Sequence, residues 1–297
     1  MSAALSGEGL VVAAYGRGAL VLAGSTAMHC ELAGRKLRLV CGDLVQWRRD
    51  GAAGAPTVHA VAPRRNCIER IDSRGRAEPV AANLDRLAIA IAPEPRPDWF
   101  LVDRYWAAAL QYGVEALLIV NKCDMDCAAL DGELATYRDL GLACAAVSCR
   151  SGAGLGDLAG RLTAGATLLV GQSGVGKSTL VNALVPASEA HTADLGRDRE
   201  GRHTTTTVHR YRYGERAALI DAPGVRDFAP PQRTERSAER GFVEIVALAA
   251  NGRFGDCSHL REPDCAVRAA VDTGTVSPRR YESYRRLRRR YAMISAR

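Results

Sequence analysis

No run of about 20 apolar residues occurs in this 297-residue sequence, so no membrane-spanning helix is expected. The N-terminus lacks a basic stretch followed by an unbroken apolar core, so no signal peptide is expected either. Cysteine follows no framework. The nine thiols (positions 30, 41, 67, 123, 127, 144, 149, 257 and 265) are odd in number and scattered. That argues against a disulfide scaffold and for a reducing compartment, the cytoplasm. Composition is otherwise that of a globular protein, 47% hydrophobic and 25% charged, in a chain long enough for two or three domains. The net charge of +7 suits a polyanionic partner without requiring one.

The most informative stretch is Gly171-Gln172-Ser173-Gly174-Val175-Gly176-Lys177-Ser178-Thr179. It fits the phosphate-binding pattern of Gly, four residues, Gly-Lys-Ser/Thr. Residues 167–170 read as a buried strand entering the loop. Leu180, Val181 and Leu184 read as the apolar side of a helix leaving it. Gly171, Gly174 and Gly176 permit backbone angles that turn successive N–H groups inward. Together with the helix N-terminus these make a concave anion site. Lys177 is expected to reach the β- and γ-phosphates, and the Ser178 hydroxyl to bind magnesium (Mg2+).

Around this loop, apolar strands (87–92, 116–120, 144–147, 217–220) alternate with helical patterns (99–112, around 155–162). That alternation predicts a mostly parallel, doubly wound α/β sheet with ligands at the carboxyl ends of its strands. The strand at 116–120 ends in Asn121-Lys122-Cys123-Asp124. A carboxylate at Asp124 accepts hydrogen bonds from guanine N1–H and the exocyclic amino group, whereas adenine would leave it unpaired. Asn121 would support that loop. Ser148-Cys149-Arg150 closes the next strand. Asp221-Ala222-Pro223-Gly224 closes the strand at 217–220. There Asp221 is expected to hold Mg2+ through water and the Gly224 N–H to sense the γ-phosphate. Residues 187–202 are polar and read as a mobile loop, leading to His203 and Thr204 to Thr207. One threonine, Thr204 or Thr205, would complete the magnesium shell; the sequence does not choose between them. Val225 follows Gly224 and cannot orient water. His203 is the candidate for that role, and a purely structural His203 fits as well.

Residues 9–22 (broken by Gly16 and Gly18), 27–32, 36–40, 44–47 and 57–61 read as short strands of a small β-barrel, for which an oligonucleotide-binding (OB) fold is the natural candidate. Arg48, Arg49, Arg64, Arg65, Arg70, Arg74 and Arg76 give it basic edges suited to RNA, although solvated arginines on a generic barrel read the same way. Residues 63–66 and 72–79 look like the exit linker.

The guanine-nucleotide elements stand in rotated order. The base-reading pair precedes the phosphate loop, and both switches follow it. This circular permutation behind an OB-like segment resembles the ribosome small-subunit-dependent GTPase A family. Ala81-Ala82-Asn83-Leu84-Asp85, Leu101-Val102-Asp103-Arg104-Tyr105, Gly201-Arg202-His203-Thr204-Thr205-Thr206 and Asp221-Ala222-Pro223-Gly224-Val225 carry the same likeness, and Ser148-Cys149-Arg150 is similar to the Ser-Ala-Lys element that contacts guanine O6. The resemblance implies an OB-fold domain (1–77), a circularly permuted P-loop GTPase domain (78–228) and a small, mainly helical C-terminal domain resembling a zinc-binding module (229–297). It implies GTP and GDP as ligands, the small ribosomal subunit and its rRNA as partners, a monomer, and GTP hydrolysis late in subunit maturation. An RNA-binding scaffold with a vestigial nucleotide site is the alternative, and intact Lys177, Ser178 and Asp221 disfavour it.

Cys257, His259 and Cys265 match three of the family's zinc ligands. The family's first ligand, a cysteine five residues before Cys257, is Gly252 here. A structural zinc takes four ligands, so three are expected to hold Zn2+ weakly. The competing expectation is a relic loop packed by Phe254 and the two thiols. The tail carries Arg279, Arg280, Arg285, Arg286, Arg288, Arg289 and Arg290, with Tyr281, Tyr284, Leu287 and Tyr291 at helical spacing. One face is expected to pack, and the arginines to contact RNA phosphate.

Overall fold

The computed structural model describes residues 5–34, 37–51, 54–71, 76–185, 208–222, 228–229, 235–250, 252 and 255–295. Gly16 and Arg17 form a two-residue turn, which splits the expected first strand into a hairpin of β1 (Leu5–Tyr15) and β2 (Gly18–Ala23). β3 (Thr26–Leu32), β4 (Leu44–Arg49) and β5 (Thr57–Val61) follow. β1 is long enough to serve two neighbours. Its first half pairs with β4 and its second half with β2, with a register shift between Val11 and Ala13. That bend closes a five-stranded barrel in the order β1-β2-β3-β5-β4, with β3 and β5 parallel. Val11, Val21, Cys30, Val45 and Val58 fill it.

One expectation fails here for a local reason. Of residues 36–40, read as a strand, the described residues 37–40 form none. The fully buried Asp43 accepts from Val40 N at 2.9 Å, which turns the chain instead. A buried carboxylate needs a cation, and Arg64 supplies it at 2.7 Å. Arg65 pairs with Asp85 and Arg70 with Glu78. Of these arginines, Arg64 is held by a buried acid, while the Arg65 and Arg70 pairs lie at the surface. The expected linker also contains a hairpin, β6 (Cys67–Ile71) with β7 (Ala77–Ala82).

The next elements are β8 (Arg86–Ile91), α1 (Trp99–Tyr112), β9 (Glu115–Val120), α2 (Asp131–Asp139), β10 (Ala143–Ala146), α3 (Leu155–Arg161), β11 (Ala164–Gly171), α4 (Lys177–Leu184), β12 (His209–Tyr213) and β13 (Arg216–Asp221). The strand order is β10-β9-β8-β11-β13-β12, parallel except for β12. The central strands bury both faces, as parallel strands between helices do. Leu87, Ile89, Leu168 and Val170 pack with α1, while Ala88, Ala90 and Leu169 share a core with Leu158, Leu180 and Val181 of α3 and α4. β12 meets β1 at Ala13 and His209, so barrel and α/β sheet are continuous.

β14 (Phe228–Ala229) adds to the β6–β7 hairpin. The chain leaving β13 thus touches the junction beside the barrel before reaching the C-terminal region. That region holds a 3-10 segment (Glu235–Gly241), α5 (Val243–Ala249), α6 (Ala266–Asp272) and α7 (Pro278–Ser295). Tyr284, Leu287 and Tyr291 of α7 pack with Phe242, Ile245 and Ala107 of α1. The arginine expectation needs correction. Arg280 is fully buried between Asp103 and Glu244. Arg279 pairs with Asp103 and Glu133, and Arg288 donates to Ser258 O and Tyr284 Oη. Acids and carbonyls of neighbouring elements hold these three; Arg286 and Arg289 are the exposed arginines of α7. No helix of the described residues is long and apolar enough to cross a membrane.

Candidate functional site

β11 lies at the centre of the parallel sheet, so the turn that follows it emerges at the carboxyl ends of the strands. Gly171 must pass against β8, where a β-carbon would collide with Ala90 O. Gly176 has a left-handed φ of 90°, and a β-carbon there would collide with Asn121 Nδ2. Only glycine satisfies both demands at 176. Lys177 opens α4 and folds back over the loop, donating to Gly171 O at 2.9 Å and Gln172 O at 2.7 Å. Ser178 and Thr179 are exposed on the first turn of α4.

Asn121 sits almost fully buried at the end of β9. Its Nδ2 donates to Val175 O at 2.9 Å, and its Oδ1 accepts from Lys122 N and from the Cys149 thiol. The Lys122 ammonium donates to Gly174 O at 2.8 Å and Glu94 O at 2.7 Å. Asn121 and Lys122 therefore hold the glycine-rich loop, and Asp124 follows them on the exposed side of the strand end. Ser148 Oγ donates to Asp124 Oδ1 at 2.6 Å, and this hydrogen bond holds the Asp124 carboxyl below the usual carboxylate range. Arg150 Nη1 stands 3.9 Å from Oδ2. A carboxylate kept ionised and partly exposed beside the phosphate loop is what recognition of guanine N–H donors needs.

Asp221 ends β13 in register with Leu169 of β11, which places a nearly buried acid at the same edge as the loop. A hydroxyl at Ser178 and a carboxylate at Asp221 are oxygen donors, the set a hard divalent cation takes. His203, Thr204, Thr205 and Gly224 lie outside the described residues. One feature the sequence did not disclose is the use of Gln172. Its Oε1 accepts from Asp98 N at 2.7 Å, and its Nε2 donates to Arg96 O at 3.2 Å. Gln172 thereby ties the glycine-rich loop to the start of α1, which Asp98 caps. The only local signal was the proline-rich loop after β8.

A model of the RsgA GTPase family matches residues 61–230, more than half of the chain. The chain belongs to the RsgA GTPase family.

A relative from Azotobacter vinelandii named small ribosomal subunit biogenesis GTPase RsgA is 41% identical over 291 residues, covering 94% of this chain and 84% of that protein. Among solved structures, YjeQ from Thermotoga maritima superposes with a TM-score of 0.74 at 23% identity, covering 99% of this chain and all of that one. YloQ, described as a circularly permuted GTPase, gives 0.71 at 24% identity over 97% of this chain and 96% of its own. The fold is therefore the permuted GTPase fold with its OB-like barrel. RsgA GTPases, like phosphoryl-transfer GTPases in general, work with Mg2+.

The C-terminal cluster is also assembled. The donor atoms of Cys257, His259 and Cys265 lie within 4.8 Å of one another, with His259 Nδ1 3.4 Å from Cys265 Sγ. His259 adopts a left-handed φ of 57°, and protein groups brace the loop around it. The Glu262 carboxylate accepts from Ser258 N, Leu260 N and Arg261 N at 2.8–3.1 Å. Tyr281 donates to His259 O, and Tyr284 to Ser258 O. Burial alone would raise the Glu262 carboxyl, but these hydrogen bonds carry it well below its ordinary range. Burial pushes the Cys257 thiol up to about 11. Two thiols and an imidazole suit zinc. Phe254 lies outside the described residues, and Gly252 contributes only its backbone, donating to Ala249 O.

Proposed function

We propose that this protein hydrolyses GTP to GDP and phosphate in the late maturation of the small ribosomal subunit, and that hydrolysis releases it from the subunit. The observation that carries this reading is the hydrogen bond from Asn121 Nδ2 to Val175 O. It joins the base-reading loop to the phosphate loop in a chain of the RsgA GTPase family. The partner follows the name of the Azotobacter vinelandii relative.

In this mechanism Asp124 accepts from the guanine edge while Asn121 and Lys122 keep the two loops in register. The N–H groups of residues 172–178 and the N-terminus of α4 surround the β-phosphate. The Lys177 ammonium leaves its carbonyl partners for the phosphate oxygens, where it offsets charge developing on the transferring phosphoryl group. Ser178 and Asp221 would hold Mg2+, Asp221 through water, joined by Thr204 or Thr205. When bound, that ion neutralises charge on the β- and γ-phosphates. Water attacks the γ-phosphorus as the bond to the β–γ bridging oxygen breaks, and His203 orients that water. The barrel, with its remaining exposed basic residues, and α7 contact rRNA.

The test is GTP turnover by the purified protein alone and with small ribosomal subunits. Slow turnover alone and faster turnover with subunits is the expected result; no turnover in either condition would overturn the reading. His203→Ala should slow the chemical step while leaving GTP affinity unchanged.

A further inference from the structure

We propose that Cys257, His259 and Cys265 form a metal site with three protein donors and a fourth position open to an exogenous ligand, and that Glu239 orients His259 toward it. This inference is independent of the GTPase reading. Beyond residue 210 the sequence contains two cysteines, Cys257 and Cys265, and one histidine, His259. The C-terminal region therefore cannot complete a closed site of four sulfur and nitrogen donors. The three donors it has are already gathered within 4.8 Å. A tetrahedral zinc with bonds of about 2.0–2.3 Å sets its donors on the order of 3.5–3.8 Å apart. The required contraction is small.

The imidazole is aimed. His259 is 3% exposed. Its Nδ1 faces Cys265 Sγ at 3.4 Å. Its Nε2 has no hydrogen-bond partner among the described residues, and Glu239 Oε2 stands 3.7 Å from it. A buried ring nitrogen without a partner costs free energy. With the Cys265 thiol on one side and the Glu239 carboxylate on the other, a single tautomer serves both ring nitrogens. Nδ1 ligates the metal while Nε2–H donates to Glu239. This is the outer-shell pattern that fixes a ligating histidine's tautomer.

The bracing explains how three donors suffice. Glu262 collects three backbone N–H groups. Tyr281, Tyr284 and Arg288 of α7 fasten the carbonyls of Ser258 and His259. Zinc-finger loops draw their fold from the metal. Here the protein holds the loop in shape, and the metal is free to keep a position for an outside ligand. Two thiolates balance a divalent cation, so a neutral or singly anionic small ligand fits there.

The experiment uses the full chain, stripped by chelator and titrated with Co2+. One equivalent should bind, giving thiolate-to-cobalt charge transfer in the near ultraviolet and tetrahedral d–d bands in the visible. Millimolar imidazole or 2-mercaptoethanol should then shift the d–d bands. Bands unmoved by either ligand would mean that a protein group closes the site and would overturn the proposal, as would a failure to bind Co2+. Glu239→Gln should retain the stoichiometry and lower Co2+ affinity about 10–100-fold, read by competition with a chromophoric chelator. Unchanged affinity would remove Glu239 from the site. All readings are optical, so their failure leaves the proposed GTPase function standing.

Discussion

Arg280 of α7 and Asp103 of α1 meet at 2.6 Å with neither side chain exposed to solvent. Asp103 also takes Arg279 at 2.6 Å and the Tyr137 hydroxyl. Arg280 also holds Glu244 at 2.7 Å and lies 4.8 Å from the ring centres of Trp106 and Phe242. The C-terminal helix is thus locked to α1, whose first turn is tied through Asp98 to Gln172 of the phosphate loop. Ion pairs between α7 and α1, together with the hydrogen bond from Asp98 N to Gln172, connect the tail to the glycine-rich loop.

Asp103→Ala leaves two arginines facing a void, one of them fully buried. Breaking a buried pair in this way costs about 3–5 kcal/mol. Denaturant unfolding should show that loss as a lower midpoint at unchanged slope. The triple replacement Asp103→Leu, Arg280→Met and Glu244→Leu should cost less than Asp103→Ala, because it leaves no fully buried charge unpaired while Arg279 keeps Glu133.

Gly176→Ala forces a β-carbon into a left-handed residue and against Asn121 Nδ2. The backbone strain alone is about 1–2 kcal/mol, and displacing Asn121 loosens the hold on Val175 O. Affinity for a fluorescent GDP analogue should fall at least about tenfold, since 1.4 kcal/mol is a factor of ten. Gly113→Ala is the control. Gly113 is left-handed at the end of α1 with open space around it, so its replacement should lower stability and leave nucleotide affinity alone.

Ser148→Ala removes the hydrogen bond that depresses the Asp124 pKa. A depressed carboxyl stays ionised to lower pH and keeps accepting from guanine there. Without Ser148 the pKa rises toward the ordinary value. GTP affinity should then fail at a higher pH on acidification than in the wild type, as a pH series of binding isotherms would show.

Arg286→Gln with Arg289→Gln removes the two exposed arginines of α7. If both reach rRNA phosphates, the slope of log affinity for small subunits against log salt should flatten by roughly 1.4–1.8, at 0.7–0.9 per phosphate contact. GTP hydrolysis without subunits should not change. An unchanged slope would exclude α7 from the RNA contact.

The guanine-nucleotide motifs were legible in the chain because their chemistry is local. Gly171 to Thr179 sits within one strand–turn–helix unit, and Asn121 to Asp124 within one strand end. The central strands were legible from continuous apolar runs. β12 was not, because His209-Arg210-Tyr211-Arg212-Tyr213 reads as polar until His209 and Tyr211 are seen buried. The strand expected at 36–40 is not formed at 37–40, because a buried acid, Asp43, competes for the backbone. The sequence by itself thus determined the nucleotide elements, their permuted order and the shortage of donors beside Cys257. Tertiary structure decided where the charges go. Arg280 and Asp103 are 177 positions apart. An arginine becomes a buried lock rather than a phosphate contact only when folding brings an acid to it and excludes water.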